Sequence, residues 1–178
     1  INISPGHFLL PEFPDDLGAA LSDLGYPAEQ LEIEVRESVV QDKLAEVKRG
    51  MKSVKALGAS MVIDHVGSGF SSLDYLRSLP VDRIKIDRFR LTDLDLVPEK
   101  GALVESILSM NEIQPIEFVA VGVETPAERD WLVSRGCHVM QGYLYSKPLY
   151  LDDLKVFCFD GVSTGFMRAG ADRSAMND

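Results

Sequence analysis

The sequence predicts an α/β fold, a TIM-like (β/α) barrel of which about six of the eight βα units are present in this chain. Two observations predict it. Short runs rich in apolar and β-branched residues alternate with longer stretches of helical periodicity, and strands that are separated by helices form parallel sheets. Polar residues also recur at the carboxyl ends of the short runs, where barrels of this type carry their chemistry.

The predicted strands follow one another at regular intervals. They are apolar on both sides, as expected where helices cover one face and the barrel interior covers the other. Because the first run has no residues before it, we expect the first two βα units to be absent from this chain. The runs are I-N-I-S (1–4), L-E-I-E-V (31–35), S-M-V-I-D (60–64), R-I-K-I-D (83–87), E-F-V-A-V (117–121) and H-V-M-Q-G-Y (138–143).

Helical spacing is clearest in two of the intervening segments. Residues 42–57 place apolar side chains three and four apart, with Lys and Glu opposite, and residues 100–112 repeat the pattern. Ser71 with Asp74 and Thr125 with Glu128 are both typical of capping boxes at the start of a helix. Small and polar residues dominate the end of the chain. We therefore predict a barrel domain over 1–157 and a tail or linker over 158–178.

Composition excludes two classes of function. The 178 residues carry a net charge of −10 and show no basic stripe, so DNA binding is not expected. No apolar run approaches the roughly 18–20 residues that a membrane-spanning helix needs. We expect a cytoplasmic domain, either free or as the cytoplasmic part of a membrane-anchored protein.

Polar side chains at the ends of six successive predicted strands indicate a site on one rim of the barrel. Amide and carboxylate oxygens beside a lysine suit Mg²⁺ or Mn²⁺ near a phosphodiester. Such residues also serve as helix caps or lysine partners, so a purely structural role is the alternative. The residues are Asn2, Glu34, Glu37, Asp64, His65, Lys85, Asp87, Glu124 and Gln141.

Six motifs in order resemble the EAL domain family, over nearly residues 1–155. That family comprises bacterial phosphodiesterases that hydrolyse cyclic di-GMP, together with inactive relatives that bind the dinucleotide or a protein partner. The motifs are N-I-S (2–4), L-E-I-E-V-R-E-S (31–38), I-D-H-V-G-S-G-F-S-S-L (63–73), L-P-V-D-R-I-K-I-D (79–87), V-G-V-E-T (121–125) and G-C-H-V-M-Q-G-Y-L-Y-S-K-P-L (136–149).

The resemblance implies a role for each matching position. Metal ligands would be Asn2, Glu34 and Asp64, and Lys85 would lie near the attacking water and the phosphate. Glu124 matches a further acid of the catalytic centre, and Glu37 would steady the catalytic loop. The implied dinucleotide contacts are Ser72, Asp87, Gln141 and Pro148.

Two departures from the family pattern oppose catalysis. His65 stands where the family has the second acid of an Asp pair, and a neutral imidazole cannot offset the charge of a second metal ion. Val121 stands where the family has its general-base Glu, and losing a positioned base costs about 10²–10⁴ in rate. The E-A-L signature itself would lie on a strand that this chain lacks.

These features lead to one hypothesis and two alternatives. The first is a non-catalytic cyclic di-GMP receptor or regulatory module that reports to other domains of a larger signalling protein, with Mg²⁺ or Mn²⁺ optional. The second is weak metal-dependent hydrolysis of cyclic di-GMP to the linear dinucleotide. The third is a scaffold that binds a protein partner, or a second copy of itself, without any nucleotide.

Overall fold

The computed structural model describes residues 1–66, 73–91, 97–112 and 115–159, and it has the predicted α/β fold. Five strands form a sheet in chain order, and β1 pairs with β2, and β4 with β5, in parallel. The predicted parallel α/β class is confirmed. The strands are β1 (Glu32–Arg36), β2 (Ser60–Val66), β3 (Arg83–Ile86), β4 (Glu117–Val121) and β5 (Val139–Gln141).

Helices occupy the segments between the strands. The helix predicted over 42–57 is found as α4, and the segment 100–112 as α6 with a following 3₁₀ turn at Ser109–Glu112. The capping box at Thr125 is present at the start of α7, whereas Ser71 lies outside the described residues. The helices are α1 (Pro5–Phe8), α2 (Phe13–Leu24), α3 (Glu37–Asp42), α4 (Leu44–Ala56), α5 (Arg88–Leu91), α6 (Pro98–Leu108), α7 (Pro126–Val133) and α8 (Leu151–Phe159).

The first predicted strand is reduced to a single bridge. Asn2 pairs in parallel with Glu34, through the hydrogen bonds from Ile3 N to Glu34 O (3.1 Å) and from Glu34 N to Ile1 O (2.8 Å). The pairing stops there because Pro5, which has no N–H to donate, already opens helix α1. The prediction of a strand over 1–4 was therefore too long, although the position beside β1 is right.

The chain divides into two compact units, one of residues 1–85 with 109–117 and the other of residues 86–108 with 118–178. In the first unit, α4 packs against β2 and buries Val47, Met51 and Val54 completely. In the second unit, Val104 and Ile107 of α6 are fully buried, as is Leu132 of α7. Each unit therefore has its own apolar core. Within the described ranges, no helix combines the length and the apolarity that crossing a bilayer requires.

Along strands β1 and β3, buried apolar residues alternate with half-buried charged residues. The prediction of strands that are apolar on both sides was therefore wrong for these two strands. Ile33 and Ile84 are fully buried, whereas Glu32 and Arg83 on the other face are half-buried and form an ion pair. Arg83 also pairs with Glu117. Charged side chains are accommodated on this face because each one meets an opposite charge on another strand of the sheet.

Candidate functional site

A largely enclosed ion pair in the first unit joins two of the predicted site residues. Lys85 Nζ lies 2.5 Å from Glu34 Oε1, and the two side chains are only 19% and 12% exposed. Asn2 is the bridge partner of Glu34, so its amide is carried on the neighbouring stretch of backbone. The structure thus brings together three residues that are widely separated in sequence, two with oxygen donors and one with a cation.

Asp64 and His65 form a local pair at the end of β2. The His65 ring Nδ1 lies 2.7 Å from Asp64 Oδ2, and the His65 backbone N–H donates to Asp64 Oδ1 at 2.9 Å. These contacts hold His65 at a φ of 62°, in the left-handed region that costs a side-chain-bearing residue free energy. At the position where the resemblance implies the second acid of an Asp pair, the structure has a 49% exposed imidazole that contacts Asp64.

Glu37 is buried at the first position of α3 and serves as an acceptor. Tyr75 Oη donates to Glu37 Oε1 at 2.5 Å, and Glu37 takes part in further interactions as well. Tyr75 belongs to the 3₁₀ segment Leu73–Ser78, so the carboxylate ties this segment to α3. Ser72, a predicted ligand contact, lies outside the described residues.

In the second unit, the end of β4 carries an apolar side chain at the position where the resemblance implies a base. Val121 is half-buried and lies opposite Gln141 in the register of β4 with β5. The backbone oxygen of Gln141 accepts from Gly122 N at 2.6 Å and from Val123 N at 3.1 Å, which closes the strand end. No group at position 121 can take up a proton.

The carboxylate of Glu124 is held by a cation that sequence reasoning did not single out. Arg88 Nη2 lies 2.7 Å from Glu124 Oε1, and both side chains are partly exposed. Arg88 follows Asp87 directly at the start of α5, and Asp87 is half-buried with a partner of its own. The sequence did contain a signal for this cation, because Arg88 directly follows Asp87, an acid just after the end of β3.

Glu128 orients the backbone around Glu124. Its buried carboxylate Oε2 accepts from Glu124 N at 2.8 Å and from Thr125 N at 3.0 Å, while Thr125 Oγ1 accepts from Glu128 N at 3.2 Å. The sequence indicated the capping box but not the additional bond to Glu124. The loop that carries Glu124 is therefore fixed by α7.

Replacing Glu128 by alanine is expected to lower the free energy of unfolding by about 2 kcal/mol, because two backbone N–H groups lose their acceptor. Chemical denaturation followed by circular dichroism measures the change. Glu128→Gln is the matched control, since its amide oxygen still accepts, and it should lose less than half as much. A loss of under about 0.5 kcal/mol for Glu128→Ala would contradict this role of the capping box.

The remaining predicted ligand contacts are on the surface. Gln141 and Pro148 are exposed, and both line a cavity of about 410 Å³ in the second unit. Tyr143 and Tyr145 add aromatic rings to the lining, and Lys147 adds a cation 6.0 Å from the Tyr143 ring centroid. Aromatic faces and a cation are groups that bind nucleobases and phosphates.

The three predicted metal ligands are all oxygen donors. Asn2, Glu34 and Asp64 supply oxygen atoms, the donors that Mg²⁺ and Mn²⁺ prefer. Both carboxylates already bind another side chain, Lys85 for Glu34 and His65 for Asp64. Across the part of the chain that the structure describes, no three His, Cys, Asp or Glu side chains form a group that could hold a metal ion.

The chain is similar to known proteins in both sequence and fold. The EAL domain family matches residues 1–148. Cyclic di-GMP phosphodiesterase NbdA of Pseudomonas aeruginosa is 36% identical over 143 residues, which are 80% of this chain and 18% of that protein. This chain spans about a fifth of the length of the first curated relatives that it matches.

Solved structures that are similar in fold include the following two. The EAL domain of Mycobacterium smegmatis DcpA superposes with a TM-score of 0.82 at 30% identity, covering 90% of this chain and 72% of that one. Klebsiella pneumoniae BlrP1, in a complex with manganese and cyclic di-GMP at pH 6, gives a TM-score of 0.76 at 34% identity. That match covers 83% of this chain and 38% of BlrP1.

Proposed function

The chain belongs to the EAL domain family, and from this premise we propose that it binds cyclic di-GMP without hydrolysing it and acts as a regulatory module of a larger signalling protein. We infer the ligand from similar proteins. BlrP1 was crystallised with cyclic di-GMP, and NbdA is named a cyclic di-GMP phosphodiesterase. Loss of catalysis does not require loss of binding, because the groups that recognise a ligand differ from those that act only in the transition state.

One observation carries the non-catalytic part of the proposal: the end of β4 lacks an available base. Val121 occupies the position of the family's general base, and the next carboxylate along the chain, Glu124, is ion-paired with Arg88. The Arg88 guanidinium occupies the Glu124 carboxylate, so this acid is already engaged by another side chain. Catalysis by a positioned base is worth about 10²–10⁴ in rate, so its loss removes most of the turnover.

A metal ion is optional in this proposal. Asn2, Glu34 and Asp64 would hold one Mg²⁺ or Mn²⁺, which would supply positive charge for a bound phosphate. Lys85 already supplies such a charge beside Glu34. We expect Asp87, Gln141 and Pro148 to contact the dinucleotide, with Tyr143 available for stacking.

Titration calorimetry of cyclic di-GMP into the whole chain, in Mg²⁺ and then in EDTA, tests the proposal. Micromolar or tighter binding that survives EDTA is the expected result. Binding that disappears in EDTA and accompanies hydrolysis to the linear dinucleotide would favour the phosphodiesterase alternative. No binding in either buffer would overturn the receptor proposal and leave the scaffold alternative.

Restoring the two missing acids should restore hydrolysis. In a protein that also carries the strand with the E-A-L signature, we expect His65→Asp combined with Val121→Glu to raise turnover of cyclic di-GMP in Mn²⁺ by at least about 10²-fold over the same protein with His65 and Val121, because a base and a second metal ligand return together. Val121→Glu alone should gain much less. Chromatographic detection of the linear dinucleotide measures the rate.

The matched control for this gain is His65→Asp combined with Val121→Gln, which has the shape of the restored site and no base. It should stay at the wild-type rate. Wild-type turnover equal to that of the restored variant would show that neither position limits catalysis and would contradict the degenerate assignment.

A further inference from the structure

The Arg88 side chain is held at two points along its length, although more than half of it is exposed. A Cβ built on Gly122 would lie 2.6, 2.7 and 2.9 Å from the Cβ, Cγ and Cδ atoms of Arg88, so the arginine stem lies against that glycine. The Arg88 Nη2 atom lies 2.7 Å from Glu124 Oε1, and 54% of the side chain is open to solvent. An exposed arginine ordinarily samples many rotamers and loses that freedom when it binds a ligand. Contacts within the chain already restrict Arg88.

The glycine under the arginine stem belongs to the turn that leaves β4. Gly122 has a φ of 87°, a backbone conformation that favours glycine, and the Arg88 stem occupies the space that a larger side chain would need. The same residue donates from its backbone N to Gln141 O at 2.6 Å. Arg88 and Gln141 therefore both contact Gly122, and Gln141 is one of the residues that we propose as dinucleotide contacts.

The ion pair between Arg88 and Glu124 contributes direction more than stability. Pairs as exposed as this one contribute little to the free energy of unfolding, because water screens the two charges. The acid itself is carried on a fixed backbone, since Glu124 N donates to the buried carboxylate of Glu128 at 2.8 Å. An acceptor on a fixed backbone orients the guanidinium that binds to it.

Charge explains why an oriented cation is needed here. Cyclic di-GMP carries two phosphodiester groups, and a chain with a net charge of −10 repels such an anion unless a cation lies at the site. The contacts already proposed in this unit, Asp87, Gln141 and Pro148, bring no positive charge, whereas Arg88 directly follows Asp87. A guanidinium matches phosphate geometry, and its five N–H donors allow it to bind a carboxylate and a phosphate at the same time.

We propose that Arg88 binds a phosphodiester group of cyclic di-GMP and that Glu124 is the positioning residue that orients it. This inference rests on the proposed function and gives Glu124 a role that requires no catalysis. The alternative is a fastening between α5 and the loop after β4 that has no contact with the ligand. The two differ in what happens to affinity when the guanidinium is removed from a folded chain.

Titration calorimetry of cyclic di-GMP into Arg88→Met and Arg88→Lys tests the phosphate contact. Methionine keeps an apolar stem over Gly122 and removes the guanidinium, so the Kd should rise at least about tenfold while the Tm stays close to that of the wild type. Lysine restores the charge without the paired donors and should recover part of the affinity.

These titrations separate failure of this inference from failure of the receptor proposal. If the wild type binds and the Kd of Arg88→Met stays within about threefold of it, the phosphate contact is overturned and the receptor proposal stands. If the wild type itself does not bind, the receptor proposal is overturned, and this inference with it.

Arg135→Met is the matched control for the loss of one positive charge. Arg135 pairs with Glu105 at 2.5 Å, as Arg88 pairs with Glu124, and both variants take the net charge from −10 to −11. Arg135 follows the end of α7, whereas Glu124 precedes its start, and a helix of eight residues is about 12 Å long. The Kd of Arg135→Met should equal that of the wild type. A rise as large as that of Arg88→Met would assign the effect to net charge and overturn the inference.

A double-mutant cycle tests whether Glu124 acts through Arg88. Removing an acid would by electrostatics alone strengthen the binding of an anion, so a higher Kd for Glu124→Ala reports on orientation. We expect a rise of about threefold in the wild-type background and no further rise when Glu124→Ala is added to Arg88→Met. Glu124→Gln, whose amide oxygen still accepts from Arg88, should lie between the wild type and Glu124→Ala. Tighter binding by Glu124→Ala, or an equal rise in both backgrounds, would overturn the positioning role.

Discussion

Replacing Gly142 by alanine should destabilise the chain by at least about 3 kcal/mol, above the usual range for a single added methyl group. A Cβ built on Gly142 would overlap the backbone nitrogen, carbon and oxygen of Val123. Backbone atoms cannot rotate out of the way as the end of a side chain can, so β5 and the end of β4 would have to separate. Thermal unfolding should show a fall in Tm of roughly 6–12 °C.

The same substitution should also weaken ligand binding. The Gly142 carbonyl accepts from Tyr145 N at 3.1 Å and from Ser146 N at 3.3 Å, and Leu144 N donates to the Val123 carbonyl at 3.1 Å. These bonds form the turn between Gln141 and Pro148, the two exposed residues that we propose as dinucleotide contacts. Calorimetry with cyclic di-GMP on Gly142→Ala should therefore show a Kd raised at least tenfold, at a temperature where the variant is folded.

Gly6→Ala is the matched control for the stability effect. Nothing lies within 4 Å of a Cβ added at Gly6, and the residue is in helix α1, where alanine is preferred to glycine. Its Tm should be unchanged or slightly raised. A Gly142→Ala protein that unfolds within about 1 kcal/mol of the wild type would mean that the approach of the two backbones is not required.

Replacing Lys85 by methionine should cost about 3 kcal/mol in the absence of divalent cations, because it leaves the Glu34 carboxylate enclosed without a counter-charge. Methionine keeps most of the length and the apolar stem of lysine, so the loss reports on the charge. Urea denaturation in EDTA measures it. The double variant Glu34→Gln with Lys85→Met removes both charges and should recover most of the stability.

Divalent cations distinguish a metal-binding carboxylate from a purely structural one. If Glu34 belongs to a metal site, Mg²⁺ or Mn²⁺ should raise the Tm of Lys85→Met more than that of the wild type, because the ion takes the place of the ammonium group. Lys155→Met changes an exposed lysine that pairs with Asp152 and should stay within about 0.5 kcal/mol of the wild type. An equal response of wild type and Lys85→Met to the metal would argue against this site.

Local patterns were sufficient to predict most of the fold. The runs at 31–35, 60–64, 83–87 and 117–121 correspond to β1–β4 within one or two residues, because β-branched clusters between helical stretches are a strong signal. The first run was shortened by Pro5, and the end of β5 was set by the turn that follows Gln141. Those limits depend on neighbouring segments and are not visible in a short window.

The polar residues at the strand ends were visible in the sequence, but their pairings were not. Glu34 and Lys85 were both expected near one rim, but their ion pair joins residues 51 positions apart and depends on the order of the strands. Arg88 and Tyr75 were missed because neither belongs to a motif with a known role. Their partners, Glu124 and Glu37, were identified, so a search for a hydrogen-bond donor or a cation beside each of these acids would have pointed to a missing contact.

The network in which Arg83 pairs with Glu32 and Glu117 has a kinetic consequence. It joins the beginnings of β1, β3 and β4 across long stretches of sequence, so it can form only after these strands have come together. Contacts of such high sequence separation contribute little to the folding transition state and much to the final state. We therefore expect the network to lower the unfolding rate and to leave the folding rate nearly unchanged. The native state would then persist longer before it unfolds.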